Sequence, residues 1–236
     1  MLESINPENV LFIDIETVPI QPRFEMLPER MQKLWEKKAE RLRNSETDTP
    51  ESLYPRAGIY SEFGKIICIS AGMFRQGQFR IKSFSGHDEK QLLAGFAALL
   101  NQHFCKPEHL LCAHNGREFD YPYIARRMVI NGVHIPSILD NSGKKPWEIG
   151  LLDTMDLWKF GDFKNYTSLE LLAAIFDIPT PKDDIDGSQV AGVYWEEHNL
   201  PRIVEYCSKD VLTIAQLFRR FRYEPLLTPD QVTIVQ

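Results

Sequence analysis

No run of apolar residues in this chain approaches the roughly 18 uncharged positions that a membrane-spanning helix requires. The opening residues, Met1-Leu-Glu-Ser-Ile-Asn-Pro, lack the basic stretch that begins a signal peptide. A cytoplasmic protein with no membrane association is expected. Cysteine is scarce: Cys68, Cys105, Cys112 and Cys207 include no Cys-x-x-Cys pair, and none has a histidine at zinc-finger spacing. All four are therefore expected to be buried, reduced thiols rather than zinc ligands or a disulfide framework. An excess of positive charge is also missing. A net charge of −6 excludes a protein that coats nucleic acid non-specifically, because such binding rests on phosphate neutralisation and counterion release. An enzyme that engages a few nucleotides remains allowed. There is no internal repeat, no low-complexity segment and no shift of composition to mark a second domain, so residues 1–236 are expected to form one domain. With 43% hydrophobic residues, 11% of the chain being aromatic, that domain can bury a substantial core.

Against these absences stands Val10-Leu-Phe-Ile-Asp-Ile-Glu-Thr17, an apolar strand with two carboxylates set into it. Side chains alternate along a strand, so Asp14 and Glu16 share one face while Ile13 and Ile15 point to the other. Two negative charges held that close need a cation or a shared proton, and a divalent metal is the simplest resolution. The plainer alternative leaves one acid ending the strand and the other solvated.

After Thr17, Pro19 and Pro22 end the strand. Residues Arg23–Asn44 show helical spacing of Met26, Leu27, Met31, Leu34, Trp35 and Leu42, which predicts an inserted helical arm over about 23–62. Its arginines and lysines can line a nucleic-acid strand, but Glu25, Glu29, Glu36 and Glu40 interleave with them, and a solvated helix laced by ion pairs is the simpler reading. Residues 45–52 read as a polar loop. Two strands joined at Arg75-Gln-Gly77 form a hairpin, a helix follows over 89–104, and Leu110–His114 is a buried strand. Asp120 sits where that strand hands over to a helix closed by Asn131-Gly132; N-capping is the ordinary role of such an aspartate. Gly150–Trp158 reads as a short strand, Thr167-Ser-Leu-Glu170 as a capping box, and 177–192 as a loop whose acids are solvated. The last helix, about 201–222, carries Tyr206 and Asp210 four apart on one face.

In chain order these residues make Asp-x-Glu on the first strand, His-Asn-x-x-x-Phe-Asp at a strand-to-helix turn, and Tyr-x-x-x-Asp on the last helix. The three stretches resemble the motifs of the DEDD (DnaQ-like) 3′–5′ exonucleases, in the DEDDy subgroup, and among these the proofreading exonuclease domain of family B DNA polymerases. The resemblance covers residues 10–221. It implies an α/β, RNase H-like fold: a mixed five-stranded sheet, its first three strands antiparallel, with helices on both faces and the inserted arm after the first strand. It implies that Asp14, Glu16, Asp120 and Asp210 hold two divalent cations, with Asp14 bridging both, and that Tyr206 positions the attacking water. Thr17, Asn115 and Phe119 would contact the terminal nucleotides. His114 fits the motif as a structural residue, and Lys144, Lys145 and Lys182 read as solvated loop residues able to approach a phosphate.

The chemistry of the residues agrees with the resemblance. Two hard cations roughly 3.5–4 Å apart stabilise both the attacking and the leaving oxygen of a phosphodiester. Four carboxylates suit magnesium or manganese rather than zinc. Tyrosine is a poor general base at neutral pH, so Tyr206 would orient water by a hydrogen bond. The expected activity is hydrolysis of single-stranded DNA or frayed 3′ ends, in DNA repair or beside a polymerase partner. Three alternatives stay open: a 3′–5′ exoribonuclease, an RNase H-type endonuclease, and an inactive nucleic-acid-binding module.

Overall fold

The computed structural model of the chain describes residues 2–145, 148–162, 164, 166–179 and 185–235. Its central strand is β1 (Val10–Pro19). The arm follows as α1 (Glu29–Leu42) and α2 (Pro50–Leu53), then a 3-10 turn over Tyr54–Ile59. β2 (Gly64–Arg75) and β3 (Gln78–Ser85) form the hairpin, turning at Gln76 and Gly77, where both φ angles are positive as a tight two-residue hairpin turn demands. Next come α3 (Glu89–His103), β4 (Leu110–Ala113), α4 (Asp120–Asn131), β5 (Leu152–Asp153), α5 (Thr154–Lys159), α6 (Leu169–Ile175), α7 (Val190–Trp195), α8 (Leu200–Phe221) and β6 (Val232–Val235).

The strands lie in the order β5-β4-β1-β2-β3-β6. β1, β2 and β3 are antiparallel, whereas β4 and β5 continue parallel to β1 on one side. The expected five strands become six, because β6 pairs parallel to β3 along Phe79–Lys82. Thr233, Ile234 and Val235 are exposed, so backbone pairing rather than a buried face holds β6, and no hydrophobic pattern announces it.

Burial follows the alternation read from the sequence. Val10 and Phe12 pack with Phe79, Val211 and Phe218 on the α8 side of the sheet. Leu11, Ile13 and Ile15 pack with Phe96, Tyr121 and Ile124 on the α3 and α4 side. Small residues bring α8 close. A Cβ on Gly72 would lie 2.7 Å from Val211 and 2.4 Å from the Phe79 ring, so only glycine permits this approach. Ser70, Ser83 and Ser208 join β2, β3 and α8 through hydroxyl contacts of 2.7 and 3.0 Å.

Several local expectations change. The 45–52 segment is not wholly loop: Thr49 caps α2 through the Ser52 N–H, and Ser52 returns the bond. Gly150–Trp158 contributes only two strand residues before Asp153 caps α5. Ser168 rather than Thr167 caps α6, and α7 begins inside the segment read as loop. Cys105 is exposed, whereas Cys68, Cys112 and Cys207 are buried and all four are free thiols. The arm is more than a solvated helix. Phe24, Leu27, Trp35, Ala39, Leu53, Tyr54 and Phe63 form a cluster of their own, and the Trp35 indole donates to Pro50 O at 2.8 Å. Among the described residues, no helix is long and apolar enough to cross a membrane.

Candidate active site

The site grows from the place where the sheet opens. β4 ends at Ala113 and its pairing with β1 stops at Phe12, so the β1 backbone beyond is free on that side. The Asp120 carboxylate lies near the Ile15 N–H, whose dipole favours its charged form. Asp120 is the first residue of α4 rather than its cap. Phe119 holds the cap position and makes no side-chain capping bond. Asp14 and Glu16, on the α8 face of β1, meet Asp210 and Tyr206 across the gap that Gly72 keeps narrow.

The resulting electrostatics are unfavourable in the bare protein. Asp14 Oδ2 is buried without a hydrogen-bond partner, and Glu16 is only 7% exposed. Burial, then the charges of Asp210, Glu16 and Asp120, push the Asp14 carboxyl well above the usual range. Burial, then Asp210, Cys68 and Asp120, raise Glu16 in the same way. Asp120 is raised to about 7 by burial, with Asp153 and Asp210 adding repulsion and the backbone N–H groups of Asp120 and Ile15 opposing it. The Tyr206 phenol, bonded to Asp210, is pushed far above its ordinary value by burial and by the three nearby acids. It is therefore a hydrogen-bond donor at neutral pH.

These groups fit a hard cation. An acceptor oxygen left unpaired in a buried cluster of carboxylates is what a divalent metal satisfies, and the oxygen donors favour magnesium or manganese. Ligand atoms of Asp14 and Glu16 lie within 4.8 Å of each other, and the Cys207 thiol lies within the same distance of both. Sequence reasoning treats Cys207 only as a buried thiol and misses it as a neighbour of the acids. Its Sγ donates to Asp14 O at 3.4 Å and supports the strand from behind.

The other candidates divide. Thr17 follows a register shift between Glu16 and Thr17, and its side chain is near enough to the Tyr123 phenol on α4 to lower its pKa. Tyr123 donates in turn to Gly58 O at 2.7 Å, which ties the arm to the site. Phe119 packs against Tyr123 with ring centroids 5.3 Å apart. Asn115 adopts φ 60°, a left-handed conformation that asparagine tolerates. Asp153 fixes that turn by accepting from the N–H groups of Asn115 at 2.9 Å and Arg117 at 3.0 Å, a role with no sequence signal beyond an acid in a short apolar run. His114 bridges Thr154 Oγ1 and Thr167 O at 2.9 Å each, and burial lowers its pKa, so it acts as a neutral tether. Lys144 contacts Asn141 at 3.3 Å, away from the acids; Lys182, Asp183 and Asp184, with Pro146 and Trp147, lie outside the described residues.

Residues 59–231 match the model of a family described as predicted 3′–5′ exonucleases related to the exonuclease domain of PolB. The chain belongs to this family. The matched stretch contains Asp120, Tyr206 and Asp210 but begins after β1, so Asp14 and Glu16 join them through the fold. The chain is similar in structure to the family B DNA polymerase of the hyperthermophilic archaeon Pyrobaculum calidifontis, with a TM-score of 0.56 over 91% of this chain and 15% identity. It spans 24% of that polymerase, and at this identity the likeness is one of fold. A cavity of about 720 Å³ opens along α4, lined by Tyr121, Ala125, Ile130, Leu139 and Leu151. None of the candidate acids lines it.

Proposed function

We propose that this chain is an exonuclease that removes nucleotides from the 3′ end of single-stranded DNA, with two divalent cations, Mg²⁺ or Mn²⁺, held by Asp14, Glu16, Asp120 and Asp210 in the manner of the DEDDy subgroup. The observation that carries the reading is Asp14 Oδ2, buried among carboxylates and left without a partner. The cations, when bound, supply charge stabilisation at the attacking and leaving oxygens of the phosphodiester. The chain's own groups do the rest. Tyr206 keeps its proton, anchors on Asp210 and orients the water by hydrogen bonding. Asp120, at the start of α4, would hold a cation with its carboxylate. Asn115 and Phe119, at the turn before α4, hold the terminal nucleotide.

The test is hydrolysis of 5′-labelled single-stranded DNA and RNA of matched sequence, with Mg²⁺ or Mn²⁺, beside Asp14→Ala. A ladder shortening from the 3′ end of DNA, absent from the variant, is the expected result. Products from RNA alone would move the substrate to RNA, and cleavage of neither would leave a binding module.

A further inference from the structure

Tyr166 stands in the open beside this site. About 67% of its surface is exposed, yet the residue is tethered on two sides. Its hydroxyl accepts the Asn115 Nδ2–H at 2.9 Å. The next residue, Thr167, is 8% exposed and its carbonyl accepts from His114 Nε2 at 2.9 Å, so the backbone is pinned to the end of β4 immediately after the ring. Asn115 is itself held at φ 60° by Asp153, and its Oδ1 is buried without a partner. Ring, amide and turn make one fixed ledge. The ledge is within electrostatic reach of Asp120, which with Glu118 and Asp153, after partial burial, raises the phenol's pKa.

We infer that Tyr166 is a base-stacking platform for the single-stranded 3′ end, its ring taking a base next to the scissile phosphate while its hydroxyl holds Asn115 in place. An exposed aromatic ring has no packing reason to be tethered so tightly. Sites for single strands use such rings because every base offers a π face, so stacking adds affinity without demanding a sequence. It suits a chain of net charge −6, which cannot rely on phosphate neutralisation alone. The inference rests on the exonuclease reading of the neighbouring acids.

Two readouts test it on the full chain. The first is steady-state hydrolysis of single-stranded DNA with Mn²⁺. Tyr166→Ala is expected to raise KM by roughly 5- to 150-fold, with a smaller change in kcat, and Tyr166→Phe and Tyr166→Trp to restore most of the loss. The second is quenching of 2-aminopurine at the 3′-terminal or penultimate position, measured in an Asp14→Ala background so that the strand stays intact; Tyr166→Ala should abolish it. Unchanged thermal melting separates these effects from unfolding. Tyr166→Ala matching the parent in KM and quenching, with DNA hydrolysed, would overturn the platform and leave the exonuclease reading standing. Tyr166→Phe behaving as Tyr166→Ala would also overturn it, by assigning the effect to the hydroxyl. Quenching that depends on Tyr166 in a protein that hydrolyses no DNA would support the platform and remove the exonuclease reading.

Discussion

Buried carboxylates that face one another repel, and single substitutions should expose that cost. Glu16 is 7% exposed, and its charge acts on Asp14. Glu16→Gln keeps the shape and removes the charge, so the metal-free protein should gain on the order of 1 kcal/mol, as when a strained functional site is relaxed. The stabilisation that Mn²⁺ gives the parent should disappear from the variant. Thermal melts with and without Mn²⁺ check both halves. Tyr206→Phe should behave differently. It removes the hydroxyl bonded to Asp210 but no carboxylate, so metal-induced stabilisation should survive while single-turnover hydrolysis slows by about 10²-fold. Asp14→Ala, which removes the central ligand, should abolish hydrolysis.

Elements set the distances between these residues. α8 carries both Tyr206 and Asp210, and Gly72 on β2 fixes how near that helix lies to β1. Gly72→Ala would force Phe79 and Val211 aside, costing about 1–3 kcal/mol, and would move Asp210 relative to Asp14. Urea denaturation should show the loss, and kcat should fall with it. On the other face, Arg127 of α4 and Glu89 of α3 form a buried ion pair whose Nε–Oε1 distance is 2.8 Å. The pair also reaches the β2 backbone at Ile66 N and the end of the arm at Ser61 O, each at 2.8 Å. Arg127→Met leaves Glu89 buried without its cation and should destabilise the protein by about 3–5 kcal/mol in chemical denaturation. The arm's separate cluster around Trp35 and its polar links to α4 make it an appendage clamped to the body at its root.

At the scale of the molecule, the acid cluster makes stability depend on pH. In the metal-free fold Asp120 keeps its proton up to about pH 7, against an ordinary value of 3.8, and Asp14 and Glu16 are shifted in the same direction. Between those values the folded chain binds more protons than the unfolded chain, so the slope of unfolding free energy with pH is negative. The melting temperature of the metal-free protein should therefore fall, through this cluster, as pH rises from about 4 to about 7. On the proposed reading, cations would take the place of those protons. The stabilisation gained on adding Mn²⁺ should grow over the same interval, and scanning calorimetry at fixed ionic strength measures both trends. A metal increment independent of pH would place the cations elsewhere.

Periodicity is written into a sequence, and what it governs was legible here. The two-residue alternation of a strand put Asp14 and Glu16 on one face, the four-residue spacing of a helix paired Tyr206 with Asp210, and Asn131-Gly132 closed α4 with Gly132 at φ 67° as expected. Contacts between distant segments have no such period. Asn115 meets Asp153 from 38 positions away and Tyr166 from 51, and the Cys207 thiol meets Asp14 from 193. β6 escaped notice because an edge strand held by backbone hydrogen bonds needs no apolar face. The sequence by itself determined on which elements Asp14, Glu16, Asp120, Tyr206 and Asp210 ride. Only the tertiary structure decided how close α8 comes to β1 and that Tyr166 stands beside Asn115, because those follow from packing volumes and open backbone groups brought together by the whole chain.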